Sequence, residues 1–278
     1  IDVIVVENNR NTPYYLTESY QGVFANNIYT RIMDTNTPKT ASADIDVVEK
    51  LWKKRFGIDA TTLERALLYL KHPSDWVESE DGKSFYKNAP EFTIEYVSAE
   101  DVRDGYEFYL FNQCDSRPHW YDIKIYYHQT LLHTLGGVAL DGGRCFTSTP
   151  QWGGLSLSPK SSFWDVSYKY FIKGSIEYIV HEFYINDNRS DERIARERFL
   201  ECVLVFESES EQKEFNNYVK INYSVYSSAD YEHKIPYFPE IQGYNMDVLK
   251  KNYLDSQILQ QMLLDFRERR IAELLASK

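Results

Sequence analysis

Over residues 92–96 and again over residues 121–127 the apolar residues recur at every second position, and this alternation constrains the fold more than any other feature of the chain. Phe92, Ile94 and Tyr96 alternate with Thr93 and Glu95, and Tyr121, Ile123, Ile125 and Tyr127 alternate with Asp122 and Lys124. Successive side chains of an extended chain point to opposite faces, so these segments read as strands with one buried face. A sheet of that kind is usually antiparallel and needs other elements to cover its apolar side. The flanking sequence supplies them at helical spacing. The expected fold is therefore α+β, with a mixed, mostly antiparallel sheet, several flanking helices and a long C-terminal helix.

The helical segments can be placed individually. Val48, Leu51, Trp52 and Phe56 predict a helix over 44–56, with Asp44 as N-cap and Gly57 as the left-handed stop. A second helix is predicted over 62–71 on Leu63, Ala66, Leu67 and Leu70, followed by a polar connection over 73–88. Ser175 opens a helix with Ile176, Ile179, Val180 and Phe183 on one face, and Cys202 to Phe206 reads as an apolar strand. Ser208 and Glu211 form a capping box ahead of Phe215, Tyr218 and Val219. The longest helical pattern covers 245–276, where Leu254, Ile258, Leu259, Met262, Leu263 and Phe266 make a broad apolar face. Near the start, Ile1 to Val6 reads as a buried strand, Asn8 to Pro13 as a turn, Pro13 to Leu16 as extended and Tyr29 to Ile32 as a short strand. The opening on a strand, with no initiator Met, sets the expectation that further chain precedes Ile1.

Composition narrows the setting. The 278 residues are 43% hydrophobic and 26% charged, with 23 Tyr and 15 Phe, which suits a folded, aromatic-rich chain of one large or two smaller domains. Cys114, Cys145 and Cys202 are widely spaced and odd in number, suggesting neither a disulfide framework nor a zinc cage, and a reducing cytoplasm is the expected location. No apolar run is long enough for a bilayer, so no membrane partner is expected. The net charge of −11 repels phosphate on average. Residues 1 to 57, however, hold seven Lys/Arg against seven Asp/Glu, so the acidic excess belongs to the remainder. Lys50, Lys53, Lys54 and Arg55 make the densest cationic surface. They could contact phosphates, or simply be the wet face that any amphipathic helix carries.

Other constellations each have a plainer reading beside the chemical one. Gly136-Gly137, Gly142-Gly143 and Gly153-Gly154 fit no phosphate-binding fingerprint and are read as hairpin turns. Trp152, in a predicted loop over 149–154, could stack on a base or a partner, or fold back onto the core. His181-Glu182 begins like a zinc protease helix, but Ile185 stands where the second His would be. His119, His128 and His133, and likewise Glu177, Glu182 and Asp187, are not spaced to converge as metal ligands, so no metal or cofactor is expected.

With Pro13-Tyr14-Tyr15-Leu16, Tyr29-Thr30-Arg31 and Asp34-Thr35-Asn36-Thr37-Pro38 in view, residues 1 to 40 resemble the closing half of the Schlafen-type, Alba-like DNA-binding domain of bacterial proteins. The family's Gly after the strand arginine is replaced here by Ile32-Met33-Asp34. The resemblance implies association with DNA or RNA in a bacterial regulator or defence protein, with Arg31 at the position of the family's strand arginine. Residues 1–57 would then be the end of that domain, and residues 58–278 an α+β sensing or assembly domain. Arg31, Lys53, Lys54 and Arg55 would contact phosphates, with no catalysis by this chain. Two alternatives remain open: part of a metal-dependent nuclease whose other catalytic residues lie upstream, and a protein-interaction domain that self-associates or takes a partner through the C-terminal helix.

Overall fold

The computed structural model describes residues 12–32, 35–79, 82–99, 119–140, 145–158, 164–185, 193–226, 228–232 and 245–276. The expected strand at Ile1–Val6, most of the turn after it, and the Asp141-Gly142-Gly143 turn lie outside these residues. The chain divides into two compact units, Ile1–Leu68 and Tyr69–Lys278. The sequence reading places its boundary at Gly57; these units divide after Leu68.

In the first unit, β1 (Arg31–Ile32) pairs antiparallel with β2 (Thr35–Asn36), Arg31 opposite Asn36. Thr30 and Thr37 close the base of this ribbon: the Thr37 amide donates to the Thr30 carbonyl at 2.9 Å, and the Thr30 amide to Thr37 Oγ1 at 3.1 Å. Ile28 is buried, its carbonyl accepting from the Ala43 amide at 2.7 Å, which leads the chain directly into α1 (Ile45–Phe56). Asp44 occupies the N-cap position but its side chain makes no capping hydrogen bond. Gly57 ends the helix as expected, at φ +67°, and a Cβ there would also lie 2.9 Å from Leu68. Helix α2 (Thr62–Leu70) opens on a reciprocal cap not anticipated from sequence: the Thr61 amide donates to Glu64 Oε2 at 2.8 Å, and the Glu64 amide to Thr61 Oγ1 at 3.3 Å.

The second unit contains a six-stranded antiparallel sheet in chain order: β3 (Trp76–Glu78), β4 (Lys83–Tyr86), β5 (Ala89–Ser98), β6 (His119–Tyr127), β7 (Thr130–Leu140) and β8 (Cys145–Ser148). Phe92, Ile94, Ile123 and Ile125 are buried, in keeping with the two-residue period. The stretch 73–88, expected as a polar connection, instead forms β3 and β4. Its aromatic residues carry the strands: Tyr69 stacks on Tyr86 at 4.3 Å, and Trp76 packs edge-on against Phe183 at 5.3 Å.

A three-stranded sheet follows, ordered β9 (Gln151–Leu155), β10 (Val166–Ile172), β11 (Val203–Phe206). β9 is antiparallel to β10, whereas β10 and β11 are parallel and joined through α3 (Ile176–Ile185) and α4 (Arg193–Glu201). Gly136 and Gly137 lie within β7, and Gly153 and Gly154 within β9, so neither pair makes the expected turn. Gly137, Gly153 and Gly154 are needed because neighbouring side chains lie where a Cβ would be: Ile123 would be 2.8 Å from a Cβ at Gly137, and the rings of Tyr168 and Trp164 lie against Gly153 and Gly154.

Helices α5 (Glu209–Asn222) and α6 (Met246–Ala276) complete the unit. Leu249 and Tyr253 of α6 enter a core cluster with Val138, Phe171, Phe199 and Val203. Ile258, Leu259, Met262 and Leu263 enter another with Tyr168, Leu204, Phe206, Phe215 and Val219. The apolar face read as a possible self-association surface is thus mostly spent inside the unit; among the described side chains of its later turns, Leu264, Ile271 and Leu275 stay exposed.

The capping box of α5 is present in modified form. Ser208 Oγ accepts from the Glu211 amide at 3.2 Å, but Glu211 reaches back to the Glu207 amide at 2.6 Å rather than to that of Ser208. Glu211 is 5% exposed and also takes Arg267 in a two-pronged pair, with contacts of 2.8 and 2.9 Å. Burial pushes its carboxyl pKa up; Arg267 and the Glu207 amide outweigh this and leave it below the usual value. Replacing Arg267 with Ala should therefore cost about 3 kcal/mol, because it strands a buried carboxylate. Replacing both Arg267 and Glu211 with Met should cost less. Urea unfolding midpoints of the two variants check this; equal losses would show that the pair itself is not the source.

Candidate nucleic-acid interface

The cationic residues expected to contact phosphate lie at two places in the first unit. Arg31 is exposed on β1. Because Ile28 is held beside Ser42 and Ala43, the β1–β2 ribbon lies at the N-terminal end of α1. Lys53, Lys54 and Arg55 are in its last turn, about 15 Å away along a helix rising about 1.5 Å per residue. The structure therefore does not gather all four into one cluster. At the helix C-terminus the three cations also complement the partial negative charge of the unpaired carbonyls.

Lys53 and Arg55 of that turn already have partners. Lys53 Nζ lies 2.8 Å from Glu49 Oε1, one turn back, and the hydrogen bond and charge of Glu49 raise its pKa. Arg55 Nη1 donates to the carbonyl of Pro13 at 3.2 Å, and its guanidinium lies over the Trp52 ring, 5.6 Å from the centroid. Trp52 in turn stacks on Phe56 at 5.4 Å. Arg55 is accordingly a tie between α1 and the segment that begins at Pro13, a different role from the phosphate contact expected of it.

That segment carries features the sequence reading passed over. It closes on itself: the Asn26 amide donates to the Leu16 carbonyl at 2.8 Å, and Tyr20 and Val23 exchange backbone hydrogen bonds at 2.9 Å. Tyr14 and Tyr15, just before this closed loop, and Tyr20 and Phe24 within it are exposed, at 64%, 47%, 65% and 48% of their surface. Four large aromatics on so short a stretch are unusual for a surface with no contact to make. The signal was visible as Tyr14-Tyr15 and Tyr20, but period and propensity describe them only as an extended segment.

In the second unit, Trp152 is not on a flexible loop. It lies in β9, 38% exposed, with Lys169 Nζ 3.7 Å from its ring centroid. One ring face is therefore already occupied by a cation whose own side chain is buried, leaving Trp152 with less surface for stacking than expected.

His181 is fully buried on α3, its ring stacked 4.6 Å from Phe171. Nδ1 lies 2.6 Å from Thr147 Oγ1, while Nε2 has no partner. Thr147 Oγ1 also donates to the Ser148 carbonyl at 3.1 Å, so the proton is best assigned to Nδ1, leaving Nε2 a bare acceptor rather than a stranded donor. His119 is exposed on β6, His128 sits in the β6–β7 turn at φ +52°, and His133 is half-buried on β7. Glu177 and Glu182 lie on α3, and Asp187 falls outside the described residues. Among the described residues, no three His, Cys, Asp or Glu side chains come together as metal ligands, and no helix is long and apolar enough to cross a membrane.

No family model, no curated protein and no solved structure matches the chain.

Burial, reinforced by the nearby charge of Arg196, pushes the His181 pKa down to about 3 from the ordinary 6.5. Between those values the unfolded chain takes up a proton that the folded chain refuses. Stability should fall as pH drops from about 6.5 toward about 3, with this one group contributing up to about 1.4 kcal/mol per pH unit. His181→Phe should remove that contribution, visible as a shallower acid limb in urea midpoints measured against pH; an unaltered slope would contradict the assignment.

Proposed function

We propose that the chain is a non-catalytic, nucleic-acid-associated module of a bacterial regulatory or defence protein of the Schlafen-type, Alba-like kind that residues 1 to 40 resemble. The first unit makes the contact. The observation that carries this reading is the Arg55–Pro13 hydrogen bond, which brings the start of the aromatic loop to the cationic last turn of α1. Tyr14 and Tyr15, exposed and next in the chain after Pro13, would join ring faces to the charge of Lys53 and Lys54, the combination that single-stranded nucleic-acid sites use. Unpaired bases of DNA or RNA would stack on the loop, with the backbone passing the lysines and Arg31 adding a phosphate contact at the other end of α1.

The even charge balance of residues 1–57 within a chain of net charge −11 supports the same placement, since phosphate is repelled less there than elsewhere. The buried thiols Cys145 and Cys202 suit a reducing, cytoplasmic setting. A protein partner would find Leu264, Ile271 and Leu275 on α6, the remnant of its apolar face.

Fluorescence anisotropy of a labelled single-stranded oligonucleotide, titrated at several salt concentrations, tests the proposal. Tyr14→Ala with Tyr15→Ala should weaken binding about tenfold or more while leaving the salt slope unchanged, since each stacked base contributes about 1–3 kcal/mol. Lys53→Ala with Lys54→Ala should reduce the slope by about 1.4, or about 0.7 for each phosphate no longer neutralised. Absence of binding at low salt, or indifference to both pairs of substitutions, would reject it.

A further inference from the structure

The second unit contains a cleft of about 690 Å³ between one face of α6 and the chain that follows α5. Its α6 side presents Asp247, Lys250, Lys251, Leu254, Asp255 and Ile258, whose spacing places them along one face of the helix. Across from them stand Tyr223 and Tyr226, Glu232, and Asp165 just before β10. The volume is within the range of small-ligand pockets, and the floor at Ile258 is apolar and buried.

An ammonium group of the chain itself shows what this cleft accommodates. Lys251 Nζ reaches Asp255 Oδ2 at 2.6 Å and the Asp165 carbonyl at 3.1 Å, beside Tyr223, which donates to Asp255 Oδ1 at 2.9 Å. Tyr226 donates its hydroxyl to Asp265. Both phenols are committed to carboxylates, so the tyrosines offer an occupant ring surface more than polar tips. Burial and the adjacent carboxylates raise both phenol pKa values, keeping the rings neutral. The lining holds four acidic residues and two lysines: Asp255 engages Lys251, the Asp165 carboxylate accepts from the Leu157 amide, and Glu232 and Asp247 are left against Lys250. Glu232 and Asp247 are exposed at the rim. Rings and surplus carboxylates around an elongated volume suit a flexible organic cation, whose ammonium groups gain from ring faces and carboxylates together.

The geometry points to a binding site for a linear polycation carrying several ammonium groups, lying along α6 between Tyr223/Tyr226 and the Glu232/Asp247 rim. Such a ligand could be a free polyamine or a lysine-rich peptide segment. Either would recognise the same surface, and the acidic excess of the chain outside residues 1–57 would favour its approach.

Calorimetric titration of the whole chain at low ionic strength, with spermine in one arm and acetylated tetralysine amide in the other, tests this. The two probes carry matched charge, so tighter binding of one identifies the source. Saturable one-to-one binding of at least one is expected, weakening about tenfold in Glu232→Gln with Asp247→Asn. Glu268→Gln with Glu273→Gln, on the exposed last turns of α6, removes the same charge and should change affinity by less than about twofold, because distant surface charges are screened. The proposal is overturned if neither probe saturates, if the two double variants weaken binding equally, or if ATP binds in their place and loses affinity in Lys250→Ala.

Discussion

The parallel pairing of β10 with β11 sets the demand that most of the second unit meets. Parallel neighbours cannot be joined by a tight turn, so the chain must leave the sheet and return, which it does through α3 and α4. Strands so connected are covered on both faces, and the burial of Val166, Tyr168, Phe171, Val203, Leu204 and Phe206 reflects this. Helix α6 supplies cover to two separate clusters, through Leu249 and Tyr253 in one and Ile258 to Leu263 in the other. The Glu211–Arg267 pair then fixes α5 to α6 with a charge that must remain paired because it is out of water.

How much of this was legible in the sequence depended on whether one periodic signal dominated a segment. Helix α1, the strands around Phe92 and Ile123, and α6 were readable because their apolar residues repeat at a single period. β3 and β4 were not: Glu78, Lys83 and Ser84 are polar, and these short strands at one end of the sheet are held by a few rings, Trp76 and Tyr86 among them, whose partners Phe183 and Tyr69 lie outside the segment. β9 was hidden for the opposite reason. Gly153 and Gly154 signal a turn when read alone, and only the rings lying across them explain why a strand should omit two side chains.

The candidate interface divides in the same way. Residue type and helical position identified Lys53, Lys54 and Arg55, and the position of Arg31 followed from the resemblance. That Arg55 is a structural tie to Pro13 depends on a contact spanning most of the first unit, which spacing does not encode. The aromatic segment is similar: Tyr14, Tyr15, Tyr20 and Phe24 have the composition of a buried strand, yet all four are exposed, Tyr20 and Phe24 inside the loop that closes from Leu16 to Asn26. His181, whose spacing to Ile185 already argued against a zinc helix, packs flat against Phe171 as part of a core, a placement that the sequence does not encode.

Because α6 both lines the cleft and threads two core clusters, the two properties share one lever arm. Its first turns hold Asp247, Lys250 and Lys251 at the surface while Leu249 and Tyr253, on the opposite side of the same turns, are locked among Phe171 and Phe199. Any occupant that favours the docked position of those turns is thermodynamically coupled to the packing beneath them, and its binding energy is returned as resistance to melting of the whole unit. A ligand held along the helix would thus be felt as added stability in the interior that the same turns cover.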